Sequence, residues 1–162
     1  MLLFTKASTV RPRVQPESKA VITVSLSRNR RFPRRRTSVR AARVFVSSSL
    51  AEWGLTERHE DIELCASELT TNAVLHGVPP GREFCVQLDA LDGVLRLGVR
   101  DSGDGFPRHR QQSDDLCAGR GLFLVRELAD DFGVSRHIVG KTVWVVFKIG
   151  GNAGAGHGAT GT

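Results

Sequence analysis

Hydrophobic positions change period several times along the chain, and each change marks an element. Val21 to Leu26 alternates with Thr23 and Ser25, which predicts an edge strand. An arginine-rich stretch follows and ends at Phe32-Pro33, where the proline is placed to open a helix. Val39, Ala42, Val44, Val46, Leu50 and Trp53 recur at helical spacing, and Gly54 closes that helix. Thr56 is the expected N-cap of a second helix whose first turns carry Glu57, Glu60 and Asp61, favourable against the helix dipole. It runs to about His76, where Gly77 and Pro79-Pro80 stop it. The period then falls to two: Phe84, Val86 and Leu88 alternate, Asp92-Gly93 makes a hairpin turn, and Val94 to Val99 continues the strand pattern. Residues 101–119 are rich in Gly, Asp, Gln and Ser and read as a long loop. A helix from Leu122 to Ala129 and a hairpin of Val134 to Ile138 with Thr142 to Ile149, turning at Gly140, complete the order. The expected fold class is α+β: a two-layer sandwich, its sheet mixed but mostly antiparallel, with helices on one face. Residues 1–19, with Pro12 and Pro16, read as a loose basic extension, 20–149 as the folded domain, and 150–162 as a flexible Gly-rich tail. The tryptophans, Trp53 and Trp144, read as core, and His76 as a helix-end packing residue.

Composition changes this picture little. The chain has 162 residues, 40% hydrophobic and 25% charged, enough for one packed domain. No apolar run approaches the roughly 20 residues that span a bilayer, and the opening Met1-Leu2-Leu3-Phe4 is too short for a secretory leader. Cys65, Cys85 and Cys117 form no C-x-x-C pair, which argues against a disulfide framework or a zinc site and suits a reducing cytoplasm. Charge, by contrast, is strongly divided. Residues 1–43 hold 12 Lys/Arg and one acid, Glu17, whereas residues 44–162 hold 11 Lys/Arg and 16 acids. A basic N-terminal part is thus joined to a mildly acidic body. The arginines at 28, 30, 31, 34, 35 and 36 have only Phe32 interleaved, and no helix-turn-helix or zinc pattern follows, so direct nucleic-acid binding is disfavoured. A solvated or protein-facing basic surface is the better reading. DNA binding through the arm would show a steep salt dependence and vanish on deleting residues 1–36.

Three constellations carry candidate chemistry. On the second helix Glu68 and Asn72 stand at i and i+4, on one face. A carboxylate beside a carboxamide can orient a hydroxyl and hold a hard cation such as magnesium; taken alone, the pair reads as readily as an exposed polar face. At the end of the second hairpin strand comes Asp101-Ser102-Gly103-Asp104-Gly105. An ionised Asp101 there can accept a hydrogen bond from an exocyclic amine such as that of adenine, while Gly103 and Gly105 admit a planar ring. Alone, this too is an ordinary Asp/Gly loop. Gly119-Arg120-Gly121-Leu122 opens a helix, whose free amides suit phosphate. It is neither a Rossmann fingerprint, since position 124 is Leu, nor a Walker A loop.

In combination, E-x-x-x-N on a helix, D-x-G-x-G after a strand and G-x-G-L before a helix resemble the Bergerat-fold ATPases, the superfamily of histidine kinase-like ATP-binding domains. Ala51 to Leu55, Glu68 to Gly77 and Gly140 to Trp144 narrow the resemblance to its anti-sigma-factor serine kinase branch, over residues 20–149. The resemblance implies ATP and Mg²⁺ as cofactors, with Glu68 as general base, Asn72 as magnesium ligand and Asp101 as reader of the adenine amino group. It implies that Gly103, Gly105, Gly119, Arg120, Gly121 and Leu122 surround the nucleotide and that 106–118 forms a lid over it. Thr142 matches a family threonine that supports adenine through water. The implied partners are a sigma factor and a STAS-domain anti-anti-sigma protein whose serine or threonine is phosphorylated, with a homodimer among the assemblies the family adopts. The alternative is a catalytically silent ATP-binding interaction module, which would need Asn72, Asp101 and the glycines but not Glu68.

Overall fold

The computed structural model describes residues 24–101 and 120–150. These form five strands and three helices. In chain order they are β1 (Leu26–Pro33), α1 (Arg36–Glu52), α2 (His59–Asn72), β2 (Glu83–Leu91), β3 (Val94–Asp101), α3 (Arg120–Leu128), β4 (Asp131–Arg136) and β5 (Lys141–Lys148). The strands make one sheet in the order β1-β2-β3-β5-β4. Every pairing is antiparallel, so the sheet among the described residues is not mixed. Asp92-Gly93 turns β2 into β3 in register with Leu91 opposite Val94.

The period-two pattern decides which sheet face meets the helices. Phe84, Val86, Leu88 and Ala90 of β2, Leu95, Leu97 and Val99 of β3, and Val145 and Phe147 of β5 are buried on one side. Ala42, Val46 and Leu50 of α1, Ile62, Cys65, Ala66 and Leu69 of α2, and Val125 of α3 close over them. Phe32 of β1 stacks on Phe84 with ring centroids 5.6 Å apart, anchoring the edge strand in this core.

Several boundaries differ from the sequence pattern. The edge strand is the arginine run itself, Leu26–Pro33, rather than 21–26; Val24 and Ser25 precede it and 21–23 lie outside the described residues. Its inward positions are Leu26, Arg28, Arg30 and Phe32. The Arg30 guanidinium lies over the Phe32 ring, 5.3 Å from its centroid, so the stem joins the apolar layer while the charge stays wet. Pro33 ends this strand and does not open α1, which starts at Arg36; the buried Ser38 hydroxyl donates to the Pro33 carbonyl and ties the two together. Thr56 does not cap α2. The helix starts at His59 behind a left-handed Arg58, whose guanidinium is bonded to Asp130 and to the Leu128 carbonyl and stacks on Phe147. Arg58 thus locks the start of α2 to the end of α3, and that role outweighs local capping. Trp53 packs against the core, but Trp144 does not: it lies on the outer sheet face with Gly133, beneath Arg96, and its indole N–H donates to Ser135. His76 is exposed.

Candidate functional site

The site is built where α2, the end of β3, the β4–β5 turn and the start of α3 converge. Glu68 and Asn72 lie in the last turns of α2, on one side, while Leu69 and Ala66 point to the core. Among the described residues neither Glu68 nor Asn72 makes a side-chain hydrogen bond, although both are half-buried. The helix then widens into a π-helical turn, Ala73–Gly77, closed by the Val78 amide on the Ala73 carbonyl at 3.0 Å. Such one-turn widenings are frequent at functional sites. Here it brings Gly77 onto Asp101: a Cβ at Gly77 would stand 3.2 Å from Asp101 Oδ2.

Asp101 ends β3 and is 7% exposed. Its Oδ1 accepts the Lys141 backbone N–H at 2.9 Å. On the other side stands Gly140, at φ +73°, where a Cβ would overlap Oδ1 and approach the Asp101 carbonyl oxygen to 2.5 Å. Two glycines on different elements therefore frame one carboxylate. The Oδ2 atom has no donor among the described residues, which leaves it as an acceptor facing the Gly77 side.

At the other end, α3 delivers Gly121 to Glu68. A Cβ at Gly121 would collide with the Glu68 carboxylate, so glycine is what lets α2 and the first turn of α3 approach. Leu122 and Val125, both buried, fix α3 in that position. The opening amides of a helix lack partners within it and carry partial positive charge. An acidic group, a carboxamide and a positive helix end thus meet at one end, and an acceptor carboxylate stands at the other.

Arg120 opens α3. Gly103, Gly105, Gly119 and the expected lid at 106–118 lie outside the described residues. Thr142 borders the same groove as Asp101, but its side chain takes the opposite sheet face. It shares strand parity with Trp144, its methyl lies over Gly98, and its hydroxyl is 2.8 Å from His137 Nε2, all on the sheet face away from the helices. It is the preceding residue, Lys141, whose N–H holds the aspartate. Sequence reasoning missed Gly77 and Gly140 as site residues; their spacing read only as a helix stop and a hairpin turn.

Cys65 lies one turn below Glu68, wholly buried. Burial, then the nearby Asp61 and Glu68 charges, push its thiol up from 9.0 to about 12, against a smaller opposing pull from Arg58. Folding therefore favours the protonated thiol. The contribution is complete below about pH 9 and declines as pH rises towards 12, so denaturation midpoints should fall in that window for the native chain and less for Cys65→Ala. A Cys65→Ala chain with the same loss between pH 9 and 12 would exclude this cause.

The match to known proteins follows the same outline. A family model described as the histidine kinase-like ATPase domain matches residues 32–147. The chain belongs to this family. The chain is also similar to the anti-sigma F factor of Geobacillus stearothermophilus, 28% identical over 116 residues, 64% of this chain and 80% of that protein. The serine-protein kinase RsbW of Bacillus subtilis is 28% identical over 110 residues, 59% of this chain and 69% of that one. Among solved structures, the RsbU and RsbW domains of Rv1364c from Mycobacterium tuberculosis superpose with a TM-score of 0.59 at 21% identity, covering 76% of this chain and 32% of that chain. That likeness carries the fold: a five-stranded antiparallel sheet under three helices is the ATPase-domain architecture.

Proposed function

We propose that the chain is an ATP-dependent serine/threonine protein kinase that holds a sigma factor and phosphorylates a STAS-domain anti-anti-sigma protein, in a cytoplasmic partner switch. Family membership supports the nucleotide, and relatives named anti-sigma F factor and serine-protein kinase support the partners and reaction. No described helix is long and apolar enough to cross a membrane. The observation that carries the reading is the contact of Glu68 with Gly121, because it sets a carboxylate without a hydrogen-bond partner among the described residues at a helix start suited to phosphates.

The donor set fits Mg²⁺-ATP. Asp101 Oδ2 is an acceptor for the adenine amino group, Asn72 offers an amide oxygen that has no partner among the described residues, and Gly121 lets the Glu68 carboxylate close on the first turn of α3. Magnesium, when bound, neutralises phosphate charge. The chain's own residues do the rest. Glu68 accepts the proton of the incoming serine or threonine hydroxyl as its oxygen bonds to the γ-phosphorus, while the bond from that phosphorus to the ADP oxygen breaks. The first amides of α3 hold phosphate oxygens, and Asp101, gripped by Lys141 N–H, fixes the ring so the transferred group cannot drift. Phosphorylation adds about −2 charge to the antagonist and expels it. Exposed Arg36, Arg40 and Arg43, one stripe of α1, provide a basic face for acidic partners.

Calorimetric titration with ATP, with and without Mg²⁺, tests the site. Asp101→Asn keeps an oxygen for the Lys141 N–H but can present an amide in place of the second acceptor. Affinity should fall at least about tenfold in that variant and depend on Mg²⁺ in the native chain. No heat at about 1 mM ATP with Mg²⁺ would defeat the nucleotide reading.

A further inference from the structure

The sheet's second face also carries a depression. Register sets Arg31 of β1, Cys85 of β2, Arg100 of β3 and Thr142 of β5 in one row across it. The next row is Asn29, Gln87, Gly98 and Trp144. Gly98 leaves a gap in this second row, and Trp144 is held aside by Arg96 above it and Ser135 beside it. The result is a groove of about 370 Å³, floored by Cys85 and Gly98 and walled by Arg31 and Arg100.

Its charges are unspent. Arg28, Arg30 and Arg96, on the same strands, are engaged with Glu52, Phe32 and Trp144. Arg31 and Arg100 have neither an ion pair nor a hydrogen bond among the described residues. The nearest acid on this face is Glu83, at the rim two residues from Cys85, and it has a partner of its own. Asp89, farther along β2, accepts from the Ser27 hydroxyl at 2.6 Å and from the Gln87 amide at 2.9 Å. The two arginine Cα atoms are two strand spacings apart, about 10 Å, so both forks can close on one ligand over Cys85.

We infer that this groove binds a compact oxyanion of two or more charges between Arg31 and Arg100, with Asn29 as a further polar contact. Asp101 also borders the groove, but consecutive strand residues point to opposite faces, so the Arg100 side chain faces away from the Asp101 carboxylate, which stands against Lys141 N–H and Gly77. The inference does not depend on the nucleotide reading.

Cys85 in the floor supplies a local reporter. The full-length protein is alkylated with iodoacetamide, and modification of the Cys85 peptide is followed by mass mapping with inorganic pyrophosphate, succinate, or sodium chloride of equal ionic strength. Pyrophosphate and succinate separate a phosphoryl from a carboxylate ligand. One of them at saturation should slow Cys85 alkylation at least about tenfold beyond the chloride control. The double variant Arg31→Gln/Arg100→Gln, altered only at exposed side chains, should keep the native melting midpoint and lose that protection. Protection by neither probe, or protection that survives in the folded double variant, overturns the assignment.

Discussion

Glu68→Gln should abolish phosphotransfer while leaving the nucleotide bound. Glutamine fills the same space against Gly121 and keeps an oxygen at the end of the side chain, but it cannot take the hydroxyl proton. Loss of a positioned general base costs roughly 10²–10⁴ in rate. ATP affinity should stay within about threefold, because the proposed adenine and phosphate contacts come from Asp101, Asn72 and α3. The measurement is transfer of label from γ-labelled ATP to the cognate antagonist, beside calorimetry on the same preparation. Unchanged transfer would remove Glu68 from its role. Loss of ATP binding as well would mean that the carboxylate shapes the pocket and does not act in chemistry. A native chain that binds ATP without transferring label would leave the silent interaction module standing.

Glu68 and Asn72 were legible because helical spacing alone places i and i+4 together, and α2 is helical throughout that stretch. Asp101 was legible for a similar reason: strand alternation through Leu95, Leu97 and Val99 continues inward to 101. Gly121 was recognisable as a helix opener, but its contact with Glu68 was not, since it joins elements some fifty positions apart. The face that Thr142 takes was not legible. Val145-Val146-Phe147 breaks the apolar alternation of β5, so the pattern alone does not reveal which face position 142 takes; pairing with Arg100 decides it. Edge strand β1 was displaced in the sequence reading because its inward positions include two arginines, and periodicity scored them as polar while their stems pack as apolar matter. The groove between Arg31 and Arg100 was equally hidden. Those residues belong to strands far apart in sequence, and only β2 between them brings them into one row.

Gly140→Ala should cost far more than Gly54→Ala, although both glycines hold a left-handed φ, +73° and +69°. Alanine in that region costs about 1 kcal/mol at either position. At Gly54 nothing lies within 4 Å of the added Cβ, so strain is the whole penalty. At Gly140 the new carbon meets both the Asp101 carboxylate and the Asp101 carbonyl oxygen, the latter at 2.5 Å. A carboxylate can rotate away; a carbonyl in the β3 backbone cannot, so the β4–β5 turn or the strand end must move. The total should reach about 3 kcal/mol by chemical denaturation. Displacing the turn also carries off the Lys141 N–H that holds Oδ1, so Gly140→Ala should weaken ATP binding while Gly54→Ala leaves it at the native value. Equal stability losses in the two variants would mean that the turn yields without strain. Equal ATP affinities would mean that Asp101 keeps its orientation without this turn, and that β3 and Gly77 suffice to hold it.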